Sequence, residues 1–374
     1  MNQAVNALPS ASALARPFAG ARWLDVQPRH ACVPQLAATV LLHAGPPFQG
    51  PAPAPVRQAA VQAMLYEQLA PDAGVAQALL AAGAVRLEPA QHYGVVTPLA
   101  QVVSHSMPMA VVGDARFRAY APLSEGPAPA LRFGSLLPAC LDRLRACTAA
   151  SFSLRNCVRA NPVAMGLLIE RALGLGDECH SRTAAANQLL LEALPGLETE
   201  AHQMIGANPG FALPVLMAAA AWALHTQGGA IESAGGNGLE FGVRRRGAAA
   251  WDCVAATAPV GTRFPQYPAT PVLGAIGDSA VLDFCGLGGQ ALAFAPALAQ
   301  EWQAMLPAGA VQRRAAIIDT ASGGIDPKRV AASGLAPIVH LAMLDATGAA
   351  GLVGRGFYIP DAALFNSTQL EAVQ

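Results

Sequence analysis

The sequence predicts a mixed α+β (mixed α/β) protein of more than one domain. Three observations carry this: short apolar runs between glycine and proline turns in the first third, 3.6-residue apolar spacing in the middle, and glycine-punctuated strands after about residue 205. A chain of 374 residues also exceeds one ordinary core.

Taken in order, residues 1–20 are rich in Ala, Ser and Pro and are expected to be a loosely held lead-in. An N-terminal α/β domain is expected over 21–132. In it, Ala38–His43 is strand-like and ends at Gly45, Pro46 and Pro47. The proline-rich stretch 46–55 forms a surface loop, because proline fixes φ and removes a donor. Helices are expected over Val56–Leu69 and Gly74–Ala82, then short strands at Val85–Leu87, Val95–Val96 and Met109–Val112. Leu167, Leu168, Ala172 and Leu175 recur at helical spacing, so 133–204 is expected to be a small helical domain. The last stretch, 205–374, is expected to be an α+β domain with glycine-rich loops. Phe211–Leu224 reads there as a buried helix, Gln290–Met305 as a helix interrupted by Pro296, and Ile317–Thr320 as a strand.

Composition narrows the function. Hydrophobic residues make up 53% and charged residues 13%, which favours a compact body with surface covered by partner chains, an oligomer. The net charge is −1 and the longest basic run is Arg244–Arg246, which argues against nucleic acid as a partner. Lys328 is the only lysine and lies in no phosphate-loop or Schiff-base context. Seven cysteines without a CxxC pair read as reduced thiols. No charged start followed by an apolar run opens the chain, and Phe211–Leu224 is shorter than the ~20 residues of a membrane span. A cytoplasmic protein without a membrane partner is the expectation.

Chemistry has three candidate locations. Gly286–Gly289 and Ser322–Gly324 are turns whose amides can close on an anion, although most such turns are plain connections. Gly176–Arg182 contains Asp177, Glu178, His180 and Arg182. Asp177 as a helix N-cap with a Glu178–Arg182 pair four residues apart explains these charges without chemistry. An acid/base pair of Asp177 and His180, or a metal site, is the functional alternative. His43, His92 and His105 stand at strand or turn ends, where each alone is more often structural than catalytic. Asp278, Ser279 and Asp283 precede the glycine turn and either carry a polar network or cap the next element.

These segments occur in one order: residues 41–47, 104–108, 124–126, 131–134, 176–182, 237–242, 276–280, 286–289 and 323–326. As a set, over about residues 23 to 365, they resemble the AllG-like (YlbE-like) family. The resemblance implies two mixed α+β domains with a small helical domain, in agreement with the pattern change near residue 133. It also implies a subunit of an oxamate carbamoyltransferase that works with FdrA-like and AllH-like subunits. The reaction implied is phosphorolysis of oxalurate, giving oxamate and carbamoyl phosphate.

By the same resemblance Asp177, His180, Arg182 and His92 are the expected catalytic set, with His180 or His92 moving a proton and Asp177 orienting it. His43, Glu125, Arg132, Glu178, Asn237, Asp278, Ser279, Gly288, Gly289, Gly324 and Asp326 are expected to contact the carbamoyl substrate or phosphate. Arg57, Glu67, Ser106 and Asn208 also match the family. Ala90 and Gln91, Ser124, Asp283, and the stretch His340–Asp345 depart from its pattern, which suggests a different substrate or a divergent subunit. The sequence identifies no cofactor. Two alternatives stay open: a non-catalytic structural subunit, and a metal-assisted amidohydrolase with a divalent ion on Asp177, Glu178 and His180.

Overall fold

Arg22–Pro28 is the organising strand of the first half. It pairs antiparallel with Pro108–Gly113 on one side and Val163–Ala164 on the other, and Arg118–Pro122 completes the four-stranded sheet. A bulge between Trp23 and Asp25 shifts the register by one residue. In a regular strand Trp23 and Val26, three apart, would face opposite sides; the extra residue puts both into the core. The computed structural model describes residues 9–123, 126 and 128–366.

Val40–His43 pairs in parallel with Arg86–Pro89, a geometry that requires a crossover connection. The crossover consists of helices Ala54–Tyr66 and Ala73–Ala81. The first starts with Pro55 in its opening turn, and the second is capped by Asp72, whose carboxylate accepts from Val75 N at 2.9 Å. Because the strands are parallel, His43 lies opposite Pro89, and the loops that follow, through Gly45 and Gln91, leave the same edge.

The middle of the chain is helical, at Pro138–Ala160, Met165–Gly174, Ala184–Ala193 and Thr199–Ala207. The buried stripe of Met165–Gly174 is Met165, Leu168, Ile169, Ala172 and Leu173, at i, i+3, i+4, i+7 and i+8. Leu167 and Leu175, included in the expected spacing, are exposed instead. Helix Ala212–Thr226 is apolar on every face. It is buried against the first sheet and against strand Ile231–Asn237. Among the described residues no single helix is long and apolar enough to cross a membrane.

Two further antiparallel sheets follow. One has the order Ile276–Gly277, Ile231–Asn237, Glu240–Arg245, Asp252–Ala255; the other Val260–Arg263, Leu352–Tyr358, Val339–Leu344. The chain is therefore the mixed α+β protein that its patterning predicts. Its main core draws on Phe18, Trp23, Leu168, Val215, Phe241, Phe284 and Phe365, so the stretches set apart by composition share one interior. Each such side chain, fully buried, contributes about 1.5–3 kcal/mol.

Several local expectations are corrected. Within the expected loose lead-in, Ala11–Ala15 and Arg16–Phe18 are helical and bury Leu14, Ala15 and Phe18. Gln290–Met305 is two short turns, Gly288–Gln290 and Leu292–Phe294, followed by a helix that begins at Pro296. Proline lacks the N–H and clashes with the preceding turn, so it starts a helix rather than sitting inside one. Ile317–Thr320 is not a strand. Arg314–Ile317 is one helical turn, and only Ile318 makes a bridge, to Ile325. So short an apolar run carries no periodicity to separate the two.

Candidate functional site

The segment Gly176–Thr183 does not enter a helix directly; the next helix begins at Ala184, with Thr183 at its N-cap position. Asp177 nevertheless serves that helix start, because its Oδ2 accepts from Ala186 N at 2.9 Å. Burial raises the Asp177 carboxyl above its ordinary pKa, partly offset by this amide bond. The capping role expected of Asp177 is present, but one turn of loop earlier than the spacing suggests. Glu178 is fully buried and accepts from the backbone of Ser181 and, at 2.9 Å, of Arg182. The Arg182 side chain is exposed. A Glu178–Arg182 side-chain pair does not form, because these residues follow a loop and not a helix turn.

What this loop builds is a buried polar knot. His180 Nδ1 lies 2.8 Å from Asp283 Oδ2, and His340 Nδ1 lies 2.8 Å from Glu178 Oε1. Asp283 Oδ1 also accepts from Gly289 N at 2.8 Å and from His340 N at 3.1 Å. Gly288 N donates to the Glu178 carbonyl at 2.8 Å. Two carboxylates thus receive six donors, four of them from the backbone, so both ring Nδ1 atoms carry the proton that faces the carboxylate. Burial pushes the Glu178 carboxyl up, but the His340 bond, the charges of His340 and His180 and the Arg182 amide outweigh it, and it lies below its ordinary value. Burial, with the Glu178 and Asp177 charges, pushes the Cys179 thiol well up, so it stays protonated.

The glycine turn is shaped for this knot. Gly288 has φ +51, and a Cβ there would meet Asp283 Oδ1 at 2.2 Å and His180 Cβ at 3.2 Å; a Cβ at Gly289 would meet the Ile338 carbonyl oxygen at 2.2 Å. Only glycine lets this backbone approach so closely. The expected meeting of the Gly176–Arg182 segment with the Gly286–Gly289 turn is therefore found, through His180 and Glu178 and not through Arg182.

A second buried cluster surrounds Asp278, at the edge where the two parallel strands end. Its Oδ1 accepts from Gly45 N at 2.8 Å and Gln91 Nε2 at 2.6 Å, and its Oδ2 from Thr97 N at 2.9 Å. His43, beside Gly45, is buried and stacked on Phe48, with Nδ1 2.8 Å from the Ala44 carbonyl. Burial drives its pKa down to about 4, so it is neutral near pH 7. Asn237 donates to the Pro46 carbonyl at 3.0 Å and caps the Leu239 and Glu240 amides. His92, exposed, accepts from Trp251 Nε1 at 2.9 Å. Burial, then the Arg244 charge, lowers its pKa. The two clusters are consecutive in the chain: Asp278 and Ser279 precede the short helix Ala280–Phe284, which contains Asp283.

Burial raises the Asp278 pKa from 3.8 to about 7, against the three donated bonds. An acid with a folded pKa above its unfolded one binds more protons folded, so its contribution to stability falls as pH rises from about 4 to about 7. The fall is expected to be on the order of 2–4 kcal/mol. Asp278→Asn, which has no proton to release, is expected to lose this slope. Urea unfolding of both proteins at about pH 5 and about pH 8 measures it; a wild-type-to-variant difference that is the same at both would count against it.

Other expected site residues lie elsewhere. Arg132 donates to the Gly126 carbonyl and sits over the Phe133 ring, in the part of the molecule packed on helix Ala54–Tyr66. Asp326 caps helix Pro327–Ser333 through Lys328 N, and Gly324 packs under the Phe284 carbonyl. Glu125 lies outside the described residues. Glu67 accepts from Ser104 and Ser106. Among the described residues no group of three or more His, Cys, Asp or Glu converges as a ligand set. His340 and Gln91, both counted as departures, are members of the two clusters. A histidine in the middle of an apolar strand was the available signal for the first.

The family model described as "Oxamate carbamoyltransferase subunit AllG" matches residues 85–279, a span that includes Asp177, Glu178, His180 and Asp278. The chain is 30% identical to the oxamate carbamoyltransferase subunit AllG of Escherichia coli (strain K12), over 94% of this chain and 93% of that protein.

The chain belongs to the AllG family.

This AllG-family chain is also 29% identical to the E. coli protein YahG, over 90% of its own length and 79% of YahG. Its fold is that of a solved conserved protein from Enterococcus faecalis V583, with a TM-score of 0.85, 25% identity and 96% of each chain covered. The family-model match ends at Ser279, before Asp283 and His340, so half of the polar knot lies outside that span.

Proposed function

We propose that this AllG-family chain is a subunit of a carbamoyltransferase assembly that moves a carbamoyl group between an oxalurate-like N-carbamoyl acid and phosphate. The observation that carries the proposal is the convergence of His180–Asp283 and Glu178–His340 on the glycine turn Gly286–Gly289. FdrA-like and AllH-like chains are the proposed partners.

In the proposed step a phosphate oxygen attacks the carbamoyl carbon, the C–N bond to the oxamate nitrogen breaks, and the phosphate proton ends on that nitrogen. Atoms and charge balance without a covalent enzyme intermediate. The chain's part is to move the proton and to stabilise developing negative charge. His180 is suited to the first task. Its Nδ1 is fixed by Asp283, and its Nε2, unlike that of His340, is not sealed from solvent without a partner. Asp283 then acts as the positioning residue and takes the role expected of Asp177, which is committed to its helix.

The assembly of this chain with its partners, supplied with oxalurate and phosphate, is expected to release carbamoyl phosphate and oxamate in equal amounts. Failure to do so with any N-carbamoyl acid tried would remove the proposal. A second reading, a structural subunit without chemistry of its own, is favoured by burial: His180 is 7% exposed and His340 0%. The two readings part on the His180 substitution argued below.

A further inference from the structure

A cavity of about 550 Å³, within the ordinary range of small-molecule sites, lies beside the Ser322–Gly324 turn. It is separate from the polar knot, none of whose four side chains lines it. Two arginines distant in sequence reach it. Arg314 donates through Nη1 to the Gly286 carbonyl at 2.6 Å. Its Nε and Nη2 make no hydrogen bond among the described residues, yet neither is sealed from solvent. Nε and Nη2 are the fork with which a guanidinium holds a carboxylate by two parallel bonds. Arg16, exposed, donates through Nη2 to the Thr320 carbonyl and has further donors to offer.

Both guanidiniums border the same turn. A Cβ on Gly286 would meet Arg314 Nη1 at 2.4 Å and the Gly323 carbonyl oxygen at 2.9 Å, and a Cβ on Gly323 would meet Pro17, the neighbour of Arg16, at 2.3 Å. No Asp or Glu lines the cavity among the described residues. The carboxylate of Asp319, next to Thr320, is occupied by the Ala321 and Ser322 amides and the Ser322 hydroxyl. Burial alone lowers the Arg314 pKa, to about 10, with no carboxylate charge to oppose it. A desolvated cation without a counter-charge is costly, and an anion from outside removes that cost. Much of the remaining wall is apolar, with Phe294, Val311, Ala315 and Ile318. It favours a ligand whose body is hydrocarbon.

We propose that this cavity is a second ligand site, which binds a small monocarboxylate with an apolar, ring-sized body. The carboxylate sits on the open Nε–Nη2 fork of Arg314, with Arg16 adding a second positive charge, and the body lies against Phe294, Val311, Ala315 and Ile318. The site goes beyond the transferase reading and does not depend on it, because its ligand touches neither His180 nor any other side chain of the knot.

Calorimetric titration of the full chain with 2-naphthoate, its neutral analogue 2-naphthamide, and acetate tests it. Naphthoate is expected to bind, and naphthamide and acetate, which lack the charge and the apolar body respectively, to bind about tenfold or more weakly. Arg16→Gln is expected to weaken naphthoate about tenfold, and Ala315→Phe, which fills the cavity, by about tenfold or more. Both positions are exposed, so the melting temperature is expected to stay unchanged. Arg314→Gln is a less clean test, because it also frees the Gly286 carbonyl. No naphthoate binding by the wild type, or wild-type affinity for it in either Arg16→Gln or Ala315→Phe, would overturn the proposal. Naphthamide or acetate binding as tightly as naphthoate would overturn it as well, since the first would leave the arginines without a role and the second the apolar wall.

Discussion

Asp283→Ala is expected to lose about 3–5 kcal/mol of folding stability, the largest effect of any single substitution near the site. The carboxylate is fully buried and receives the Gly289 amide, the His340 amide and the His180 ring. Removing it leaves three buried donors without an acceptor, and an unsatisfied donor costs about 1–3 kcal/mol. It also opens space beneath Gly288, whose backbone approaches the carboxylate too closely for any other residue. Urea unfolding measures the change. Asp283→Asn keeps the volume and one acceptor oxygen, so it is expected to lose less. A loss below about 1 kcal/mol for Asp283→Ala would mean that the three bonds do not hold the turn.

His180→Gln is expected to lower carbamoyl phosphate formation by the assembly about 10²–10⁴-fold, the range a general acid–base group contributes. Glutamine can still donate an N–H to Asp283, so the turn and the subunit contacts are expected to survive, but it cannot carry a proton through a second nitrogen. The loss should appear in kcat and not in KM, because the ring acts on the step and not on substrate binding. Activity within a few-fold of wild type would favour the structural subunit. Arg182→Ala, at an exposed side chain, is expected to leave both stability and turnover nearly unchanged.

The sequence made some of this site legible because the information is local. Gly288 and Gly289 mark a turn by residue type alone, Asp177 marks a helix start, and the IGDSA and GLGG segments place Asp278 and Asp283 at the two ends of one short element. The partners of these residues are not local. His340 reaches Glu178 across 162 positions and Gln91 reaches Asp278 across 187, and no periodicity reports such pairings. The resemblance points to Arg182 and Arg132, yet a loop in place of a helix turns the first outward and the second packs by helix Ala54–Tyr66. The helical turns Ala11–Phe18 were equally hidden, in a stretch whose Ala, Ser and Pro content suggests a loose lead-in, although Leu14 and Phe18 anchor it in the main core.

The most direct test of the account is a double-substitution cycle between His180 and Asp283, read as kcat for carbamoyl phosphate formation by the assembly. If Asp283 works by holding the His180 ring, His180→Gln, Asp283→Asn and the double variant should lose similar factors, because the second change removes nothing that the first has left. Losses that multiply would show two independent contributions and contradict the claim that the buried carboxylate acts through the imidazole.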